Sequence, residues 1–542
     1  MSCDLKLTGG SIIDGTGSRA FRADVALTSG KISALGDLSD LEAEQTLDCN
    51  GRTITPGFID IHSHSDWLVP GRSHGSLVEP FVRQGMTTIV AGNCGFSPAP
   101  VTDRNRQSLQ EASQLIVDDQ LQLRWESLGE FLDLIESEGV ALNVAQLVGH
   151  GTVRAAVTGH LALAAPNEDE LAQMERFTRD ALDAGCVGIS TGLGYPPGMF
   201  SLEPELVEFA SWAARDDKLF TSHLRAYSWV SPGFKGDPNV RPHNIEAIDE
   251  ILRVGRAAEA RTQISHLIFV GSGTWSNHPE AIATIERARE DGVDVAFDAF
   301  PYTAGNTTAS VLFPPEMLAN LDEVLQSEEQ MAGLRALGAA AFGRIGFGLE
   351  DIQIMNANAP DLNQYNGFYV AEAAEREGTD LWTFYARMVL ESNRTARVLI
   401  HKYSGHGEEE KALCAVLAHP LCTIETDTFV TEEGHQNPAS YGTFPRILST
   451  YVRRGLLSLE AGVHKMTGAA ASRLRWQDRG FVREGCAADL VVLDRETLRD
   501  TATFEKPAAY PKGIEHVFIN GRHVVNGARY DADAYAGAVL RS

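Results

Sequence analysis

The stretch Pro56-Gly57-Phe58-Ile59-Asp60-Ile61-His62-Ser63-His64-Ser65-Asp66 decides how the chain is read. Its run Phe58-Ile59-Asp60-Ile61 is short, apolar and bounded by polar residues, as a buried strand is. In a strand, residues two apart face the same side, so His62 and His64 point toward one centre. Ionisable residues just past the C-terminal end of a strand are where barrel enzymes place their chemistry.

Seven further runs of this kind follow, at 87–91, 141–145, 187–190, 219–222, 262–265, 293–297 and 421–425. Between them, segments such as 168–184 and 244–260 carry apolar residues at spacings of three and four, the pattern of amphipathic helices. Strand and helix alternating about eight times predict an α/β fold, a (β/α)8 TIM-like barrel. An open doubly wound sheet fits less well, because no glycine-rich phosphate turn follows the first run.

The ends of the chain have a different texture. Leu5-Lys6-Leu7, Asp24-Val25-Ala26-Leu27 and Lys31-Ile32-Ser33-Ala34-Leu35 alternate apolar and polar residues, and 489–494 and 516–522 do the same. Short strands cannot bury a face alone, so both ends are expected to pair into one small β-domain. The expected division is 1–56 and 476–542 for that domain and 57–475 for the barrel. About 120 residues separate the seventh and eighth runs, far more than a crossover needs, so an insertion at about 304–400 is expected before the last barrel strand.

The composition narrows the class. Of 542 residues, 43% are apolar and 22% charged, which is globular rather than disordered. With 46 Lys and Arg against 73 Asp and Glu, the formal charge is −27, which disfavours nucleic acid and anionic membranes as partners. No run approaches the ~20 apolar residues of a membrane span. The N-terminus has no basic segment leading into an apolar one, and seven scattered cysteines form no disulfide framework. A soluble, cytoplasmic protein is expected. A homo-oligomer is compatible with a barrel of this size.

Ionisable residues end several other runs: Asn93-Cys94-Gly95, Ser222-His223-Leu224-Arg225, Ser265-His266-Leu267 and Glu425-Thr426-Asp427-Thr428. Four histidines, a thiol and a carboxylate thus converge from five strands. Zn²⁺, borderline-soft, suits that mixture better than a hard cation does.

The opening stretch resembles the first motif of the amidohydrolase superfamily. Gly92-Asn93-Cys94-Gly95, Gly192-Leu193-Gly194-Tyr195-Pro196-Pro197-Gly198 and Phe300-Pro301-Tyr302-Thr303-Ala304-Gly305 resemble its N-acyl-D-amino-acid deacylase (D-aminoacylase) branch. So do Tyr441-Gly442-Thr443-Phe444-Pro445-Arg446 and Ala487-Ala488-Asp489-Leu490-Val491-Val492. The resemblance spans nearly the whole chain and implies a zinc-bearing barrel with a small β-sandwich built from both termini. It implies a tight zinc site at Cys94, His223 and His266. A second, weaker position would lie at His62 and His64 beside Asp427, with Cys94 shared. Many amidohydrolases bridge two metals with a carbamylated lysine at strand four, but residues 186–192 contain no lysine, so the Cys94 thiolate takes that place.

The implied reaction is hydrolysis of a linear amide in a small molecule, by metal-bound hydroxide with Asp427 as general base and then acid. Tyr195, Arg225 and Tyr302 are candidates for orienting the substrate, and Arg446 and His150 could bind or brace. A cyclic-amide hydrolase of the hydantoinase or dihydroorotase kind is the alternative, disfavoured by the missing lysine. A non-catalytic scaffold is disfavoured by the complete ligand set. D-aminoacylases commonly carry a lysine two positions after the strand-six histidine, for the substrate carboxylate. Here that position is Ile268, and no Arg or Lys occurs between Asp291 and Met331. Thr428 follows Asp427 where relatives often have glycine. A more hydrophobic pocket is expected, whose substrate need not be a simple N-acyl-D-amino acid.

Overall fold

The structure, a computed structural model, describes residues 2–71, 74–113, 116, 121–231, 234, 237–313, 317 and 320–542. Residues 314–316 and 318–319 of the expected insertion lie outside the described residues.

Five strands open the chain: β1 (Ser2–Ile12), β2 (Phe21–Thr28), β3 (Lys31–Gly36), β4 (Glu42–Asp48) and β5 (Thr53–Pro56). The barrel strands follow: β6 (Phe58–Asp60), β7 (Met86–Ala91), β8 (Asn143–Gly149), β9 (Gly188–Gly192), β10 (Leu219–His223), β11 (Arg261–Ile264) and β12 (Val295–Ala299). After β13 (Ala304–Thr308), β14 (Ile352–Asn356) and β15 (Arg397–His401), the barrel resumes with β16 (Cys422–Ile424). The chain ends through β17 (Leu490–Leu493), β18 (Ile514–Ile519), β19 (Arg522–Asn526) and β20 (Arg529–Tyr530).

The eight barrel strands form one parallel sheet in chain order, as the eight runs predict. The seam between β16 and β6 is closed by the residues just past them. Asp427 N–H donates to the His62 carbonyl at 3.1 Å, and His64 N–H to the Thr428 carbonyl at 3.2 Å. Beneath this, the buried Asp60 carboxylate accepts the Thr426 N–H at 3.0 Å and the Thr426 hydroxyl at 2.6 Å. The residues that close the barrel are therefore candidate site residues.

The crossover helices form where their sequence dictates. In Glu168–Asp183, Asn167 accepts the Glu170 N–H while Glu170 accepts the Asn167 N–H, a reciprocal cap with three acids in the first turn. Its buried residues, Met174, Thr178, Ala181 and Leu182, recur on one face. The helix expected over 244–260 runs from His243 to Ala257. It stops early because Glu259 turns left-handed, with φ 51°, and Ala260 N–H reaches back to the Gly255 carbonyl.

Both termini join through an antiparallel β17–β5 ladder, Leu490 opposite Pro56 and Val492 opposite Ile54. This links the two halves into one nine-stranded sheet. Period two decides its faces. Leu490 and Val492 pack with Leu7, Val25, Ile54 and Phe518 in the sheet's own core, while Val491 and Leu493 enter the barrel core.

Between β12 and β16 lies a three-stranded antiparallel sheet, β13–β15–β14, with a separate core that includes Leu334, Ile354, Tyr385 and Val398. It sits over the end of strand six, where Ser404 N–H donates to the Phe269 carbonyl at 2.8 Å and Gly271 N–H to the Lys402 carbonyl at 2.9 Å. Among the described residues, no helix is long and apolar enough to cross a membrane.

Candidate metal and active centre

Three of the candidate ligands have backbones that L-residues rarely adopt: Cys94 at φ 55°, His266 at φ 31° and Asp427 at φ 46°. Such conformations persist only where neighbours impose them. The Tyr195 hydroxyl holds the Cys94 carbonyl at 2.8 Å, and the Ser190 hydroxyl accepts the next N–H, of Gly95, at 3.0 Å. The Asp298 carboxylate accepts the His266 N–H at 2.6 Å. Left-handed turns at the strand ends swing these side chains toward the barrel axis.

There they meet. Cys94 Sγ lies 3.2 Å from His62 Nε2 and 3.6 Å from both His223 Nδ1 and His266 Nε2. His223 Nδ1 and His266 Nε2 are 2.9 Å apart. Asp427 Oδ1 is 3.4 Å from His62 Nε2 and 3.3 Å from His64 Nε2. Two donor groups result, Cys94–His223–His266 and His62–His64–Cys94–Asp427, each within 4.8 Å and sharing the sulfur.

The chemistry of this set fits zinc. Tetrahedral zinc, with bonds of about 2.3 Å to sulfur and 2.0–2.1 Å to nitrogen, holds such donors roughly 3.5 Å apart. The two 3.6 Å separations match that spacing. Burial would raise the Cys94 thiol, but the His62 and His223 charges and the bonds to His223 and His266 hold it well below its ordinary value. A thiolate is the form that ligates. Burial would likewise raise Asp427, yet His266, His64 and His62 keep it below the usual carboxylate value.

Of the other predicted residues, Tyr195 borders this cluster. Its ring lies 4.9 Å from that of His223 and stacks on Phe96. Arg225, an expected substrate contact, is held in an ion pair. Its Nε donates to both Glu250 oxygens at 3.0 Å, and its other nitrogens reach Glu250, the Met199 carbonyl and the Ser201 carbonyl. The Tyr302 hydroxyl donates to Asp500 at 3.0 Å, with the Arg446 guanidinium 4.7 Å over its ring. His150 braces the barrel wall through Glu205, at 2.9 Å, which Arg154 also holds at 3.0 Å.

The sequence reading missed three participants. Asp298 grips the His266 turn. The Tyr227 hydroxyl spans the Leu224 N–H and the Ser265 carbonyl, and its ring packs against both His223 and His266. Glu425 is fully buried, neither carboxylate oxygen has a hydrogen-bond partner among the described residues, and burial pushes it well above the usual carboxylate value. Glu425, at the end of the eighth run, and Asp298, one position past the seventh, offered a signal as acids at strand ends.

Residues 45–341 and 434–525 match the amidohydrolase family. An N-acyl-D-glutamate deacylase of Alcaligenes xylosoxydans xylosoxydans is 34% identical over 96% of this chain and 93% of its own. A D-aminoacylase of the same organism is 32% identical over 99% of this chain and 97% of its own. The crystal structure of N-acyl-D-glutamate deacylase from Bordetella bronchiseptica, complexed with zinc and a phosphonate inhibitor, is 30% identical, covers all of both chains and has a TM-score of 0.82. The chain belongs to the amidohydrolase family, in the branch that holds the D-aminoacylases.

Proposed function

We propose that this chain hydrolyses a linear, non-peptide amide of a small molecule, in the manner of the D-aminoacylases. The observation that carries this reading is the convergence of Cys94, His223 and His266 on one point, with Asp427 beside His62 and His64 at the same barrel end. Cys94, His223 and His266 would hold a zinc ion, which would supply a Lewis acid for the amide carbonyl and lower the pKa of water from ~16 to near 7. His62 and His64 with Asp427 offer a second, weaker position. Asp427, kept ionised by the surrounding imidazoles, accepts a proton from the attacking water and returns it to the leaving nitrogen. Tyr195 and Tyr227 hold the ligand-bearing turns while this happens. A cyclic substrate is disfavoured, since β9, Gly188-Ile189-Ser190-Thr191-Gly192, has no lysine.

The substrate presents no free carboxylate beside strand six. Leu267, Ile268 and Phe269 are all buried. The insertion seals this segment by pairing Val270 with Tyr403, and the nearby Lys402 is committed to Asp351 at 2.8 Å. A carboxylate buried there without a partner would cost several kcal/mol.

The test is hydrolysis by zinc-loaded protein of paired N-acyl-D and N-acyl-L amino acids, with their amides and esters. Native protein is expected to turn over the amides and esters in preference to the free acids. Ile268→Lys should improve free-acid turnover by about tenfold, the worth of one charge-assisted hydrogen bond. Efficient free-acid hydrolysis by native protein, unchanged in Ile268→Lys, would contradict this substrate assignment. It would leave the amide-hydrolase reading standing.

A further inference from the structure

We infer that Asp298 is a positioning residue of this centre, one buried carboxylate that sets a ligand in each donor group without joining either. The inference rests on the metal reading above. Asp298 lies in β12 and is 1% exposed. Its Oδ1 accepts the His266 N–H at 2.6 Å, and its main-chain carbonyl accepts the Leu267 N–H at 2.8 Å. Side chain and backbone together clamp the turn that forces His266 into its left-handed conformation.

The same Oδ1 faces His62 Nδ1 at 3.5 Å. That nitrogen is buried and, among the described residues, has no partner closer than this carboxylate, so Asp298 is the charge it faces. A carboxylate on this side keeps the imidazole proton on Nδ1. The Nε2 lone pair is then turned toward Cys94, at 3.2 Å, and Asp427, at 3.4 Å. Partners of this kind fix the tautomer and ring orientation of metal-ligating histidines. Asp298 is itself fixed from beneath. Its Oδ2 accepts from Gln263 Nε2 at 2.8 Å, and Gln263 also donates to the Thr423 hydroxyl at 3.2 Å.

The test compares Asp298→Ala with Asp298→Asn. Zn²⁺ affinity is measured by chelator competition, and Co²⁺-substituted proteins are compared by visible absorption. Asp298→Ala should bind zinc about 10- to 100-fold more weakly, with shifted cobalt bands. Asp298→Asn should recover part of that loss, since its oxygen still accepts the His266 N–H but brings no charge to His62. Native affinity and a native cobalt spectrum in Asp298→Asn overturn the inference, and that variant decides alone if Asp298→Ala does not fold. A native chain that takes up no zinc sinks the metal reading as well. Native uptake with unaffected variants sinks this inference only.

Discussion

Cys94 Sγ and His266 Nε2 lie 3.6 Å apart, and both residues hold left-handed backbones, at φ 55° and 31°. Each such conformation costs roughly 1–3 kcal/mol. The strain brings a thiol and an imidazole nitrogen to one point, where a bound cation would offset its cost. Cys94→Ser should therefore lose zinc on dialysis that native protein retains. Amide hydrolysis should fall by about 10²-fold or more, the scale on which a single electrostatic group acts. Metal analysis beside initial rates checks both.

Arg225 and Glu250 form a buried, doubly bonded pair 25 positions apart. Removing one partner of such a pair costs about 3–5 kcal/mol, because the other charge is left buried and unpaired. Arg225→Met should show that loss in urea unfolding. Arg225→Lys should also destabilise, since an ammonium cannot reproduce the fork. A raised KM at native stability would instead make Arg225 a substrate ligand.

His401, at the end of β15, is buried against Tyr369 and Phe504 and accompanies Gln353 at 3.3 Å. Burial lowers its pKa to about 4. Unfolded, it titrates near 6.5. The neutral imidazole thus contributes stability above pH ~6.5 that is lost as pH falls toward the folded value, by up to about 1.4 kcal/mol per pH unit. His401→Leu should flatten the acid limb of the stability profile across that window. Parallel profiles for native and variant protein would remove this residue from the account.

The barrel and the convergence of the six donor residues at one end of it were legible because both follow from local pattern. A buried strand ends where its apolar run ends, and His62, His64, Cys94, His223, His266 and Asp427 all sit at such ends. What escaped depends on partners that local pattern does not specify. The Tyr302 hydroxyl bonds to Asp500, 198 positions away. Arg225 pairs with Glu250 in the same long-range way. Asp298 reads as one more strand residue until the His266 turn folds onto it. The end of the helix His243–Ala257 depended on a left-handed turn at Glu259, a residue with no intrinsic preference for one.

The most direct test of the central claim is amide hydrolysis followed through metal removal and return. Chelator-treated protein should lose activity and recover it as Zn²⁺ is added back. Asp427→Asn should stay at least about 10²-fold below native rates at every zinc level. Full activity in protein shown by metal analysis to be zinc-free, or native rates in Asp427→Asn, would contradict the account.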